Sequence, residues 1–225
     1  MGTSVQNWNK FLTATFRTNA EKFFQLADNG CFTDKLTEDC HLLGDVAFPL
    51  HYITICWDII LCGYDEWNDD VKPQLYKKKL DNDRIKEFFI NRHLNMDSIP
   101  FENYTRYFFC KEKDATVDDC LGQTKEELMA KRHREIDIDL YCSAEKFDFE
   151  NVARLIKGGA NPKHRFPGDC ECLDRITSEC SFLEVQLKGA MFDPKYQIDY
   201  EQDIPDLIGL AAHTKMERLL TKKAY

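Results

Sequence analysis

Residues 140–162 read LYCSAEKFDFENVARLIKGGANP. Two short amphipathic segments meet in this stretch, Leu140 to Phe147 and Phe149 to Lys157, with Asp148 between them. An aspartate at such a junction accepts from the free amides of a helix's first turn, so the second helix is predicted to begin directly after it. Val152, Leu155 and Ile156 recur at the three- and four-residue steps of one helical face. Gly158-Gly159 follows a helix rather than a strand. It therefore reads as a helix stop, with Gly159 free to take a positive φ, and not as a phosphate cradle.

The same signal recurs on both sides. Trp8, Phe11, Leu12, Thr15 and Phe16 fall on one helical face. Thr18-Asn19-Ala20-Glu21 reads as a capping box, and the helix it opens, carrying Phe23, Phe24 and Leu26, is predicted to stop at Asn29-Gly30. Pro49 is placed to start a helix through Ile53, Trp57 and Ile60 to Gly63. After a charged insert, Asp81 or Asp83 is predicted to cap a helix with Ile85, Phe88 and Phe89. Further starts are read at Ser98-Ile99-Pro100-Phe101, ahead of Tyr104, Thr105 and Phe108, and at the capping boxes Thr124–Glu127 and Thr214–Glu217. Leu173, Ile176, Cys180, Leu183 and Leu187 mark another helix. The alternating runs at 136–140 and 196–200 are five residues each and read as turn or extended linker, since lone short strands are marginal.

On these residues residues 140–162 resemble the ankyrin repeat, whose pattern runs roughly L-H-x-A-A-x-x-G-x-x-E-x-V-x-x-L-L-x-x-G-A-D/N-P. The matching positions are Leu140, Ala144, Glu150, Val152, Leu155, Ile156, Gly159, Ala160, Asn161 and Pro162. Phe48-Pro49-Leu50-His51 looks like the Thr-Pro-Leu-His helix start of that family, with Phe48 in place of the capping Thr and His51 as a helix-start residue. Leu210-Ala211-Ala212 with Met216, Leu219 and Leu220 looks like a shortened last repeat, Ala212 lying 68 residues after Ala144, close to two repeats of ~33. Phe147 stands where the family has Gly. The expected fold is all-α: an irregular ankyrin-like helical-hairpin solenoid with long loop insertions at 63–80, 111–123 and 189–204. No Ser- or Gly-rich linker divides the chain, so one domain over 1–225 is expected.

Composition limits the function classes. The 225 residues carry 39 acidic and 30 basic side chains, a net charge of −9, and a pI near 5.2. Nucleic-acid binders need a basic face, so no nucleic-acid partner is expected. Lys77-Lys78-Lys79 lies among Asp69, Asp70, Asp81 and Asp83 and reads as solvated surface. A basic protein partner is electrostatically permitted. Ten glycines and seven prolines fall well below the usual ~12%, which argues against a turn-dense barrel. The N-terminus lacks the features of a signal peptide. The most apolar run, 48–62, is too short to span a bilayer. Ten cysteines are too few for a disulfide scaffold. No membrane partner is therefore expected, and the location expected is cytoplasmic, with free thiols.

No catalytic signature appears. His41, His51, His93, His133, His164 and His213 are scattered outside any zinc-protease or deaminase spacing, and no nucleophile elbow, Walker loop or dinucleotide fingerprint is present. Adjacent acids such as Asp69-Asp70 and Asp118-Asp119 have no apolar surroundings to separate their pKa values. The chain is accordingly read as a non-enzyme without cofactor. One alternative is a metal-binding protein or enzyme centred on His164, Cys170, Cys172 and Cys180, although Cys-x-Cys is not the usual zinc-knuckle spacing. Another is an acidic immunity- or antitoxin-like protein that neutralises a basic effector. The expected function is a protein–protein interaction module with an unidentified protein partner. What the ankyrin resemblance implies is binding through inner helices and finger loops: here Tyr141, Glu145 and Lys146 on the first helix, and Lys163, His164, Arg165 and Phe166 after Pro162.

Overall fold

Trp8, Phe11, Leu12 and Phe16 are fully buried along one face of α1 (Ser4–Phe16), so the apolar period read from the sequence is the face that packs. A computed structural model describes residues 4–32, 41–43, 46–47, 50–62, 69–92, 116–168, 170–199 and 202–221. Ten helices and two short strand pairs make up these residues: after α1 come α2 (Ala20–Asp28), β1 (His41–Leu43), β2 (Val46–Ala47), α3 (Tyr52–Ile60), α4 (Lys72–Ile90), α5 (Val117–Leu121), α6 (Lys125–Ala130), α7 (Glu135–Glu145), α8 (Phe149–Lys157), β3 (Arg165–Phe166), β4 (Cys170–Glu171), α9 (Cys172–Phe192) and α10 (Asp203–Thr221). Both strand pairs are antiparallel. The all-α expectation holds for these residues. The chain divides into two compact units, Met1–Asn103 with Leu183–Ala211, and Tyr104–Phe182 with Ala212–Tyr225.

In the first unit α1 packs on α2 and α3, and α4 on α2 and α3. Phe11, Phe23 and Phe89 meet edge to face at 5.1 and 5.5 Å. The Trp57 indole donates to the Phe16 carbonyl at 3.2 Å, tying α3 to the end of α1. The Arg17 guanidinium donates to the carbonyls of Ala190, Asp193 and Tyr196 and so closes the end of α9. A cation there meets the negative end of the helix dipole.

The second unit is built on α7 packed against α8, α5 and α6. Ile138, Leu140, Ala144 and Val152 are fully buried in it. A nine-residue helix is marginal alone. The burial of Val152 and Leu155 stabilises α8 by about 1.5–3 kcal/mol per side chain, against about 1 kcal/mol from its Asp148 cap.

The junctions between α1 and α2 and between α7 and α8 are the same motif. The Thr18 amide donates to Thr15 and the Asn19 amide to Ala14, at 3.0 and 2.8 Å; Phe147 donates to Ala144 and Asp148 to Ser143, both at 3.0 Å. These are Schellman closures. Asn19 Oδ1 then accepts from the Lys22 amide and Asp148 Oδ1 from the Asn151 amide, at 2.9 and 3.0 Å. Both second helices end alike, with Gly30 bonded to Ala27 and Cys31 to Leu26, Gly159 to Ile156 and Ala160 to Leu155. Every member of one set lies 129 residues after its counterpart, from Thr18 to Phe147 onward. Helix α6 closes the same way, Arg132 bonding Met129 and His133 bonding Leu128.

Several local expectations are corrected. The cap of α2 is Asn19, not Thr18: Thr18 sits at φ 49° as the closing residue of α1, and its hydroxyl donates to Arg17 O. Residues 136–140 are helical, because Asp137 and Ile138 are both buried at the start of α7. Helix α4 runs through Asp81 and Asp83, so neither is a cap, and its start at Lys72 removes much of the insertion expected at 63–80. Leu75, Asn82, Ile85 and Phe89 give it one buried face. Helix α10 passes through Thr214 without restarting, since Leu207, Ile208, Leu210, Ala211, Ala212 and Thr214 itself are buried and Met216 and Leu220 continue the burial beyond it. The expected loop at 111–123 contains α5, with a capping box at Thr116, and that at 189–204 is shortened by α9 and α10. Lys78 is half-buried over the Trp57 ring rather than solvated. The starts read at Pro49 and Ser98 lie outside the described residues.

Candidate functional site

Helix α7 begins at a buried carboxylate. Asp137 is 2% exposed. It accepts two hydrogen bonds from Arg134, both at 2.7 Å, and one from the Asn161 amide at 2.7 Å. Arg134 also donates to Gly159 O at 3.1 Å. One side chain thus joins the start of α7 to the turn that ends α8. Burial alone would raise the Asp137 pKa, but the hydrogen bonds from Arg134 and Asn161, with the charges of Arg134 and His164, hold it below the usual carboxylate range.

From that turn the chain enters the β3–β4 hairpin. Asn161 Oδ1 accepts from the Lys163 amide at 3.1 Å, and its carbonyl from His164 N at 3.0 Å. His164 Nδ1 stands 3.6 Å from Asp137 Oδ2, and its Nε2 lies 2.9 Å from His133 Nδ1. Phe166 completes an aromatic cluster, with ring centroids 5.3 Å from His133, 4.8 Å from His164 and 5.4 Å from Tyr141. Burial, then the neighbouring His164 and Lys131, lower the His133 pKa. At the base of the hairpin Arg165 donates to Glu171 at 2.6 Å, and the Leu173 amide bonds Pro162 O at 3.1 Å.

The seven partner-facing residues read from the sequence separate into two sets. Tyr141, Glu145 and Phe166 are buried. Glu145 pairs with Arg175 at 2.8 Å, and Arg175 also reaches the Tyr141 hydroxyl at 3.5 Å. These three side chains are occupied in holding α7, α9 and the hairpin together, which corrects their reading as contact residues. Lys163 and Arg165 are exposed, and Lys146 and His164 are partly so.

The cluster His164, Cys170, Cys172 and Cys180 is not gathered around one point. Among the described residues no three His, Cys, Asp or Glu side chains stand together as a metal-binding group. Cys180 Sγ lies 3.3 Å from the Thr214 hydroxyl, and Cys172 is buried, which pushes its thiol up to about 12.

Sequence reading missed His133, Arg134, Asp137, Glu171 and Arg175. The Arg134/Asp137 spacing of three residues was a visible signal. The histidine pair was visible only as a separation of 31 residues, near one repeat length of ~33. Among the described residues, no helix is long and apolar enough to cross a membrane. Comparison of the chain with protein-family models, curated proteins and solved structures returned no match.

Proposed function

We propose that the chain is a non-catalytic, ankyrin-like protein-interaction module that meets a protein partner through the β3–β4 hairpin. The repeated hairpin carries this reading. Two helix pairs share every closing and capping hydrogen bond at a step of 129 residues, close to four repeats of ~33. The second pair is followed directly by a β-hairpin, as a finger loop follows an ankyrin helix pair. Repeat arrays of this kind bind through extended surfaces and loop tips rather than enclosed pockets. The hairpin offers Lys163 and Arg165 to solvent, with His164 partly exposed between them, while Phe166, Tyr141 and Asp137 hold it in place from below.

The test is affinity capture from the native host with the wild-type chain and a Lys163→Glu variant, which leaves the Arg165–Glu171 pair at the base of the hairpin intact. The variant is expected to lose the captured protein while keeping its far-UV circular dichroism and Tm within a few degrees. Equal capture by both chains would overturn this face. A strand-dominated circular dichroism spectrum would overturn the repeat architecture.

A further inference from the structure

The first unit contains a cleft of about 530 Å³ between the α1–α2 junction and α4. Its charged lining is Arg17, Glu21, Lys77, Lys78, Asp81 and Arg84, four cations against two carboxylates in a chain whose net charge is −9. Asp81 stands 3.7 Å from Arg84 and offsets that charge. Arg17 has its guanidinium turned to the carbonyls of Ala190, Asp193 and Tyr196, so its charge is not cancelled by a carboxylate. Lys77 and Lys78 have no carboxylate within ion-pair distance among the described residues.

Lys78 is the unusual member. Its ammonium lies 4.8 Å from the centre of the Trp57 ring and 5.5 Å from that of Phe192, and 3.5 Å from Arg17 O. An ammonium half-buried on aromatic faces gives up hydration, and here it does so beside a second cation. Burial, then the Arg17 charge, pull its pKa below the usual lysine range, with Asp81 opposing. Two like charges held together at the wall of a cleft are stabilised by an anion placed between them.

We infer that this cleft binds a small molecule bearing a phosphate or diphosphate group, with Lys77 and Lys78 as its principal contacts. The volume falls within the ~300–1,000 Å³ of small-molecule sites. Lys77 is exposed and Lys78 is half-buried, and lysines meet phosphate as point charges, whereas the bidentate fork of Arg17 is already engaged. The site is separate from the β3–β4 hairpin and independent of the role proposed for it.

Inorganic pyrophosphate is the probe, titrated calorimetrically into the full chain at low ionic strength, with intrinsic fluorescence followed in parallel. Saturable one-to-one binding is expected, accompanied by a fluorescence change as the Lys78 ammonium shifts over Trp57. Lys77→Ala and Lys78→Met are each expected to weaken binding about tenfold or more. Methionine keeps the packing over the rings, and circular dichroism confirms that each variant is folded. Lys157→Ala, outside the cleft, is expected to bind as wild type. Absence of saturable binding, or unchanged affinity in both cleft variants, would overturn the site. Citrate binding as tightly as pyrophosphate would overturn the phosphate assignment.

Discussion

Thr18 and Phe147 occupy the same backbone position in two separate helical hairpins, at φ 49° and 54°. Each is a non-glycine residue in the left-handed region, where a Cβ costs about 1–2 kcal/mol. The two differ in what the side chain returns. Both are buried, but Phe147 brings a large ring with contacts to Phe149 at 6.1 Å and His213 at 4.9 Å, whereas Thr18 brings a small side chain whose hydroxyl donates to the adjacent Arg17 carbonyl.

Thr18→Gly is therefore expected to change stability by less than about 1 kcal/mol, the relief of strain being offset by the added chain entropy of glycine and the small buried side chain lost. Phe147→Gly is expected to lower it by about 2 kcal/mol or more, since the lost packing exceeds the same relief. Urea unfolding of both variants measures this. A stabilised Phe147→Gly chain would mean that the ring contributes nothing there.

Arg134 and Asp137 form an unequal pair. The Arg134 side chain is 56% exposed and that of Asp137 1%. Arg134→Ala leaves a carboxylate buried with one backbone donor and is expected to cost about 3 kcal/mol. Asp137→Asn, which lets Arg134 return to water, is expected to cost only about 1–2 kcal/mol. Denaturation of the two single variants and the double variant checks the order. Equal costs would show that Asp137 is not held by Arg134.

The His133–His164 contact gives the hairpin a pH dependence. The folded state holds the His133 pKa below its ordinary value. As pH falls below about 6.5 the unfolded chain takes up a proton that folded His133 refuses, so stability is lost on acidification until folded His133 protonates too. Asp137, lowered in its turn, acts in the same direction at more acid pH. Asp203 and Asp206, raised by burial, act in the opposite direction but only near the carboxylate range. Between about pH 7.5 and 5.5 the unfolding midpoint should fall in wild type and fall less in His133→Gln. Parallel slopes would remove His133 from the account, and amide exchange over 164–171 would report the same opening locally.

Thiol reactivity follows burial. Burial pushes the Cys172 thiol up to about 12, and a hydrogen bond with Cys120, followed by burial, pushes Cys142 up. Cys62 is exposed. Alkylation of the native chain at about pH 8, mapped by peptide mass spectrometry, should label Cys62 first among the described cysteines. Cys142 and Cys172 should react only after denaturant is added. Fast labelling of Cys172 in the native chain would contradict its burial at the start of α9.

The sequence by itself determined what is local. Helical periods fixed α1, α2, α8 and α9, because one face must bury Trp8 and Phe11, Phe23 and Leu26, Val152 and Leu155, or Ile176 and Leu187. Asp148, Thr124 and Gly159 announced their caps and stop, since each acts on backbone groups within a few residues. Only tertiary structure decided the rest. Thr18 and Phe147 close helices in a conformation their side chains disfavour, which packing and the following Asn19 and Asp148 enforce. Asp81, Asp83 and Thr214 carry the chemistry of caps yet lie inside long helices, because the buried faces of α4 and α10 continue past them. Lys163, His164 and Arg165 were legible as the loop after Pro162, but the contacts that build the candidate site belong to this second class. His133 meets His164, and Asp137 meets Asn161, across 31 and 24 residues of chain. The Lys78 ammonium rests on Trp57 and Phe192. Such meetings depend on how helices pack against one another, and no local pattern of residue types encodes them.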